Sequence, residues 1–261
     1  RRRSRHPRGP ADGNDGPAGS KSPGKGAGKR AGKRAGKSGR TRFTGRGRTE
    51  RVKTAKQRSS SSARWLERQL NDPYVAEARK QGYRSRAAFK LAELDGRFHL
   101  LKSGGRVVDL GAAPGGWTQV AVERVGPKGK VVAVDLLAMD AIPGAQILLA
   151  DFMDNATPAM IRAALDGPAD AVLSDMAPPT TGHGPTDHLR IVALAEAAFD
   201  FAHEVPKPGG VFVAKVFQGG TEGELLTRLK RAFASVRHAK PPASRSDSAE
   251  AYVVAQGFRG A

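Results

Sequence analysis

The sequence contains no cysteine, so disulfide bonds and thiolate metal sites are excluded, and a reducing compartment suits the chain. Aromatic residues make up only 6% of it. No apolar run approaches the roughly 20 residues that a transmembrane helix needs. No apolar segment follows the basic N-terminal residues, which argues against a secretory signal. We therefore expect a cytoplasmic protein without membrane contacts.

Acidic residues are scarce in one part of the chain only. The formal charge is +19, from 44 Lys+Arg and 25 Asp+Glu. Residues 1–60 hold 20 of the basic and 3 of the acidic side chains, and Phe43 and Val52 are their only large apolar residues. Such a segment has nothing to bury, so we expect 1–60 to be a disordered tail and 61–261 to be the folded domain. The tail suits an RNA-binding arm, and a solubilising tail without a partner is the alternative.

Short apolar runs alternate with helical patterns from about residue 63. This alternation predicts an α/β fold with a doubly wound, mostly parallel sheet covered on both faces, and a last antiparallel strand. The predicted strands are RVVDL (106–110), KVVAVDL (130–136), AQILLAD (145–151), ADAVLSDM (169–176), GGVFVAKVF (209–217) and EAYVVAQGF (250–258). The predicted helices cover 64–82, 85–98, 117–125, 158–165, 188–205 and 221–234, and 180–188 is predicted as a mobile loop over the site.

The first predicted βα turn reads GAAPGG, from Gly111 to Gly116. This is not the G-x-G-x-x-G of a dinucleotide site, but it allows a ligand to lie against the main chain. Asp135 and Asp151 end the next two predicted strands, where carboxylates can accept hydrogen bonds from ribose hydroxyls and an adenine amino group. No cation lies between Gly111 and Glu123, which disfavours a pyrophosphate. S-adenosylmethionine, a nucleoside with a positively charged sulfonium, fits a site that has these two carboxylates and no nearby cation.

Five motifs occur in order along the chain: SRAAFKL, VVDLGAAPGGW, SDMAPP, VAKVF and EAYVVA. With them, residues 63–258 resemble the FtsJ/RlmE-type ribose 2′-O-methyltransferase family. The resemblance implies a Rossmann-like S-adenosylmethionine-dependent methyltransferase fold. It also implies a monomeric enzyme that methylates a uridine of 23S ribosomal RNA in the large (50S) subunit. The sequence departs from the family at 179–182, where PTTG replaces the usual Asn-x-Ser-Gly.

The resemblance also implies the site residues. The methyl donor would be bound by Gly115, Trp117, Asp135, Asp151 and Asp175, and the catalytic set would be Lys90, Asp175, Lys215 and Glu250. Our hypothesis makes Lys215 the general base, because a lysine inside an apolar strand rarely lacks a role. A neutral amine is needed, and burial or a second ammonium favours that form.

In this hypothesis Asp175 orients the base, while Lys90 and Glu250 position the ribose. The ordinary alternatives are surface charges at Lys90 and Glu250 and core packing at Trp117; the role of Asp109 is left open. The six histidines show no metal spacing, and the chemistry needs no metal.

Three other functions stay open at this point. Related enzymes methylate transfer RNA, a non-catalytic RNA-binding assembly factor would keep the fold, and a small-molecule methyltransferase would leave the basic tail unexplained. A group of cations before the catalytic lysine could contact RNA phosphates. They are Arg64, Arg68, Arg79, Lys80, Arg84 and Arg86.

Overall fold

The computed structural model describes residues 60–179, 181–218 and 223–260. The expected disordered tail lies outside these residues except for Ser60, which begins the first helix. The assignment of 1–60 as a tail and of 61–261 as the domain therefore stays a prediction.

Seven strands and seven helices make up the described residues. The helices are α1 Ser60–Leu70, α2 Pro73–Lys80, α3 Ala87–Phe98, α4 Gly116–Val125, α5 Thr157–Leu165, α6 Gly184–Glu204 and α7 Gly223–Ala232. The strands are β1 Arg106–Leu110, β2 Lys130–Asp135, β3 Ala145–Leu149, β4 Ala169–Ser174, β5 Pro206–Phe217, β6 Phe233–Ala239 and β7 Glu250–Phe258.

The strands form one sheet in the order β3-β2-β1-β4-β5-β7-β6. The first five pair in parallel, and β7 is antiparallel to both β5 and β6. The predicted α/β class and the antiparallel last strand are confirmed. Because β1 lies between β2 and β4, the chain reverses its direction of winding there. Ligands bind beyond the carboxyl ends of the strands at such a point.

The central strands β1, β2 and β4 are largely apolar because helices cover both faces of the sheet. On one face, α5, α6 and α7 pack on side chains such as Val108, Val172 and Phe212. On the other face, α3 and α4 pack on Val107, Leu173 and their neighbours. The packed layers on the two faces fix the carboxyl ends of β1, β4 and β5, where the candidate active site lies.

Apart from shifts of a few residues at the ends of elements, four details differ from the sequence prediction. Asp72 caps α2 and Pro73 starts it, so the helix predicted over 64–82 is two helices. β3 ends at Leu149, which leaves Asp151 in the following loop. The predicted loop over 180–188 is mostly helical, because His183 caps α6 by accepting a hydrogen bond from the Thr186 N–H. Residues 233–239 form the edge strand β6, whereas the sequence pattern predicted helix as far as 234.

The turn after β1 requires glycine at two positions. Gly111 has a φ of +75°, and a Cβ there would lie 2.8 Å from the Met176 main chain. Gly115 has a φ of +109° and caps α4, and a Cβ there would lie 2.6 Å from Ile142 Cδ1. Non-glycine residues would be strained at both positions. The glycines therefore let the turn lie close to the segment after β4 and to the loop after β2.

Candidate active site

Lys215 and Asp175 meet at the carboxyl edge of the sheet. Lys215 lies in β5, and Asp175 follows the neighbouring strand β4. The Lys215 Nζ lies 2.7 Å from Asp175 Oδ1 and donates a hydrogen bond to the Asp175 carbonyl oxygen at 2.8 Å. Lys215 is only 8% exposed. A buried cation needs such a partner.

A second ion pair joins α3 to β7. The Lys90 Nζ lies 2.7 Å from Glu250 Oε1, and both side chains are largely buried. The Ser244 hydroxyl donates a hydrogen bond to the same oxygen of Glu250 at 2.8 Å. The sequence alternative of two solvent-facing surface charges is therefore wrong for Lys90 and Glu250.

Tyr252 connects the two ion pairs, and the sequence analysis missed it. Its hydroxyl donates to Asp175 Oδ1 at 2.8 Å and accepts from the Lys90 Nζ at 3.3 Å. Its side chain is completely buried. The sequence did contain a signal for Tyr252. Alternate residues of a strand point to the same face, and Tyr252 stands two positions after Glu250 in the predicted strand. The four predicted catalytic residues thus belong to one hydrogen-bonded network.

The network fixes the charge of its central carboxyl. Burial, the largest influence, acts to raise the pKa of Asp175, but the Lys215 and Lys90 ammoniums and the hydrogen bonds from Lys215 and Tyr252 hold that pKa below its usual range. Burial, followed by the charges of Asp175 and Glu250, raises the pKa of Tyr252 well above its usual value. Asp175 is therefore an anion and Tyr252 a neutral donor at neutral pH.

We predict that Tyr252→Phe lowers kcat about 10- to 100-fold without unfolding the protein. The change removes only the hydroxyl that joins the ion pairs, and a net hydrogen bond to a charged group contributes about 1.5–3 kcal/mol. Steady-state methylation assays, with circular dichroism as a check on folding, would measure this. A fall in melting temperature with full kcat would show that the hydroxyl only supports the fold.

The end of β2 and the loop after β3 supply two more carboxylates. Asp135 Oδ2 accepts the Ala113 N–H at 2.8 Å, and its Oδ1 accepts the Leu137 N–H at 2.8 Å. Each oxygen keeps a further lone pair for a ligand hydroxyl. Asp151 is exposed, with one oxygen held by the Met153 N–H at 2.8 Å.

Exposed apolar side chains flank both carboxylates: Leu136 and Leu137 are 65% and 68% exposed, and Met153 is 57% exposed. Apolar surface beside a few fixed acceptors is what a purine nucleoside requires. The residues present therefore fit an adenosine-containing donor. That Asp135 and Asp151 bind it stays a prediction.

Trp117 lies in the core and does not line an open surface. It is 2% exposed, its indole N–H donates to the Ala87 carbonyl at 2.9 Å, and its ring packs on Tyr252 with centroids 5.5 Å apart. The indole thus braces α3 and β7 behind the two ion pairs. Donor binding by Gly115 and Trp117 stays a prediction. The buried indole leaves this role to the main chain in the first turn of α4, where helix N–H groups lack intrahelical partners. The Gly115 N–H, however, already donates to the Ala112 carbonyl at 2.7 Å.

Asp109 lies beneath the glycine turn and is completely buried. The Thr118 hydroxyl donates to its Oδ2 at 2.7 Å, and its Oδ1 has no hydrogen-bond partner within the described structure. Burial raises the pKa of Asp109 to about 7, the Thr118 hydrogen bond opposes this rise, and the Asp175 and Asp135 charges add to it. The carboxyl therefore keeps its proton in the folded state under mildly acidic conditions.

This raised pKa predicts a pH-dependent stability. Between about pH 4 and pH 7 the unfolded chain loses the Asp109 proton while the folded protein keeps it, so the unfolding free energy falls as pH rises and levels off above pH 7. Asp109→Asn removes the titration and should remove a pH-dependent contribution on the order of a few kcal/mol. Urea unfolding of both proteins from pH 4.5 to pH 8 measures the difference, and parallel pH profiles would contradict the prediction.

Two of the cations expected to contact RNA are engaged within the protein. Arg86 pairs with Asp72 at 2.8 Å and also donates to the Ala243 carbonyl. Arg84 donates to main-chain carbonyls near the glycine turn. The expected phosphate contacts by these two residues are therefore not supported. Of the remaining cations, the described side chains of Arg68, Arg79 and Lys80 are exposed.

Neither a metal site nor a membrane helix is found in the part of the chain that the structure describes. No group of three or more His, Asp or Glu side chains there could hold a metal ion. Over the same residues, each helix is too short or too polar to span a bilayer.

The buried Lys215–Asp175 pair and the glycine turn both lie at the carboxyl edge of a doubly wound sheet, where such folds bind their ligands. Residues 83–258 match the FtsJ-like methyltransferase family. The chain belongs to this family and is a methyltransferase.

Similar proteins agree with this membership. "Ribosomal RNA large subunit methyltransferase E" of Rhodospirillum rubrum is 66% identical over 80% of this chain and 81% of its own length. The protein of the same name from Paramagnetospirillum magneticum is 64% identical over 85% of this chain and 96% of its own length. A crystal structure from Plasmodium falciparum, described provisionally as a ribosomal RNA methyltransferase, has a TM-score of 0.62 and 33% identity, over 69% of this chain and 100% of the other.

Proposed function

We propose that this methyltransferase transfers a methyl group from S-adenosylmethionine to the ribose 2′-hydroxyl of a uridine in 23S ribosomal RNA of the large subunit. The observation that carries the proposal is the buried Lys215–Asp175 pair, joined through Tyr252 to Lys90 and Glu250. Relatives of 66% and 64% identity, named as methyltransferases of large-subunit ribosomal RNA, support the acceptor. A sugar hydroxyl needs a base, whereas the donor methyl is already activated.

S-adenosylmethionine supplies an electrophilic methyl group on a sulfonium. In this proposal the main chain of Gly115 and Trp117 contacts the donor, Asp135 accepts hydrogen bonds from its ribose, and Asp151 accepts one from its adenine. The Asp175 carboxylate, ionised at neutral pH, offers a negative charge on the side where the sulfonium would lie.

Lys215 then acts on the acceptor. Once its amine has lost the ammonium proton, Lys215 accepts the proton of the 2′-hydroxyl as the oxygen forms its bond to the methyl carbon and the bond from that carbon to the donor sulfur breaks. Asp175 holds the amine in place through the 2.7 Å contact. Lys90 and Glu250 lie on the other side of Tyr252 and position the ribose. Fixed orientation of this kind supplies much of the rate gain in group transfer.

The acceptor RNA is expected within the assembled 50S subunit, in the cytoplasm, and the enzyme is expected to act as a monomer. The exposed cations Arg68, Arg79 and Lys80 precede the catalytic helix α3 and would contact phosphates.

The substrate is tested by incubating the protein and labelled donor with undermethylated large subunits, free ribosomal RNA and transfer RNA. The proposal predicts label in the large subunits. Label in transfer RNA alone would contradict the acceptor while leaving the chemistry intact. Absence of label from every RNA would favour a non-catalytic assembly factor. Label in small molecules only would favour a small-molecule methyltransferase.

A further inference from the structure

Arg84 joins two separate loops around the expected donor cleft. It lies between α2 and α3, and its guanidinium donates to the Pro114 carbonyl at 3.3 Å, to the Asp140 carbonyl at 2.8 Å and to the Ala141 carbonyl at 2.8 Å. Pro114 belongs to the glycine turn after β1, and Asp140 and Ala141 belong to the loop after β2, which begins beside Asp135. One side chain thus crosslinks both loops.

The main chain around Arg84 is held in place by a side chain of α4. The Arg84 N–H donates to the Gln119 side-chain oxygen at 2.8 Å, and the Gln119 amide donates to the Gly82 carbonyl at 3.0 Å. Gln119 lies in α4, directly after the glycine turn. A Cβ at Gly115 would lie 3.1 Å from an Arg84 nitrogen, so the guanidinium and the turn are in close contact.

These contacts suit arginine and no other cation. A guanidinium is planar and presents N–H groups from two terminal nitrogens in a fixed fork that spans both loops, whereas a lysine ammonium has all three of its N–H groups on one nitrogen. The three carbonyls hold the Arg84 guanidinium against the two loops and leave fewer of its N–H groups for a phosphate. The residue also stands six positions before Lys90, so it connects the donor loops to the segment that leads into α3.

We propose that Arg84 is a positioning residue that holds the glycine turn and the 136–141 loop in the arrangement that binds the methyl donor. The inference rests on the proposed function for the identity of that donor. Without the crosslink the two loops sample other arrangements. The apparent affinity for the donor is then the intrinsic affinity multiplied by the fraction of molecules that can still bind it.

The test compares Arg84→Ala and Arg84→Lys with wild type by calorimetric titration of S-adenosylmethionine and of S-adenosylhomocysteine. Both variants should bind either nucleoside about 10- to 100-fold more weakly, as expected for losing one or two hydrogen bonds to a charged group. Binding of a 23S ribosomal RNA fragment, measured by fluorescence anisotropy, should stay within about twofold of wild type, with an unchanged salt dependence.

Arg79→Ala is the matched control, because Arg79 is an exposed cation at the end of α2. It should weaken RNA binding and leave donor affinity unchanged. The idea is overturned if both Arg84 variants bind donor like wild type. It is also overturned if Arg84→Ala loses RNA affinity and Arg84→Lys restores it, since that pattern indicates a phosphate contact. A wild-type protein that binds RNA but neither nucleoside would overturn the proposed function and this role together.

Discussion

Replacing Lys215 with alanine is expected to lower the rate of RNA methylation by about 10²–10⁴-fold, the range that a general base contributes. Donor affinity should change little, because the Lys215 amine contacts Asp175 and not the loops that would hold the nucleoside. Single-turnover methylation with saturating donor measures the chemical step, and calorimetric titration of S-adenosylhomocysteine measures donor binding.

Lys207 provides the control for this experiment. It lies near the start of the same strand, β5, and pairs with Asp170 at 2.6 Å at the opposite edge of the sheet. Lys207→Ala removes the same charge from the same strand and should keep the wild-type rate. Both Lys215→Ala and Lys215→Met leave Asp175 without its closest cation, but methionine keeps a side-chain volume similar to that of lysine. The Lys215→Met variant therefore tests whether lost packing, and not the lost amine, lowers the rate. Wild-type turnover by either Lys215 variant would remove it as the base.

Asp175→Asn should produce the second large effect, with loss of activity and of stability together. The carboxylate contacts the Lys215 amine and the Tyr252 hydroxyl, and the charge of Lys90 also helps to hold its pKa down. Breaking a buried ion pair by removing one partner costs about 3–5 kcal/mol, because the other charge stays buried. We expect a fall in rate of at least about 10³-fold and a clearly lower melting temperature at pH 7.

The pH dependence separates this effect from general damage. The pKa of Asp175 is held below its usual range, so its carboxylate stabilises the fold above the unfolded pKa of about 4, and this contribution is lost as pH falls through the lower folded value. The stability gap between wild type and Asp175→Asn should therefore narrow below pH 4. Asp170→Asn, at the other end of β4, should retain full activity. A stability difference between wild type and Asp175→Asn that stays constant below about pH 4 would contradict a stabilising role of the Asp175 charge.

The sequence predicted the parallel sheet well because its central strands β1, β2 and β4 are buried on both faces and therefore read as apolar runs. It failed at β6, where Phe233 follows α7 without a break and the helical pattern continues into the strand. Pairing with β7 decides the conformation of that segment, and this contact is long-range. Local propensity could not reveal it.

The central ion pair was also predictable, because Asp175 and Lys215 stand at carboxyl ends of strands that a doubly wound sheet brings together. The role of Arg84 was not predictable. Its partners are main-chain carbonyls 30, 56 and 57 residues away, and carbonyls have no signature in a sequence. Trp117 shows the same limit, since only the structure places its indole N–H on the Ala87 carbonyl.

The most direct measurement is nucleoside analysis of undermethylated large subunits after incubation with donor and either wild-type protein or Lys215→Ala. The amine at position 215, buried beside an anion, is proposed to take the proton of a sugar oxygen as that oxygen gains a methyl group. Mass spectrometry should then find 2′-O-methyluridine with the wild type and none with the variant. A methyl group on the base, or equal 2′-O-methyluridine from both proteins, would contradict the account.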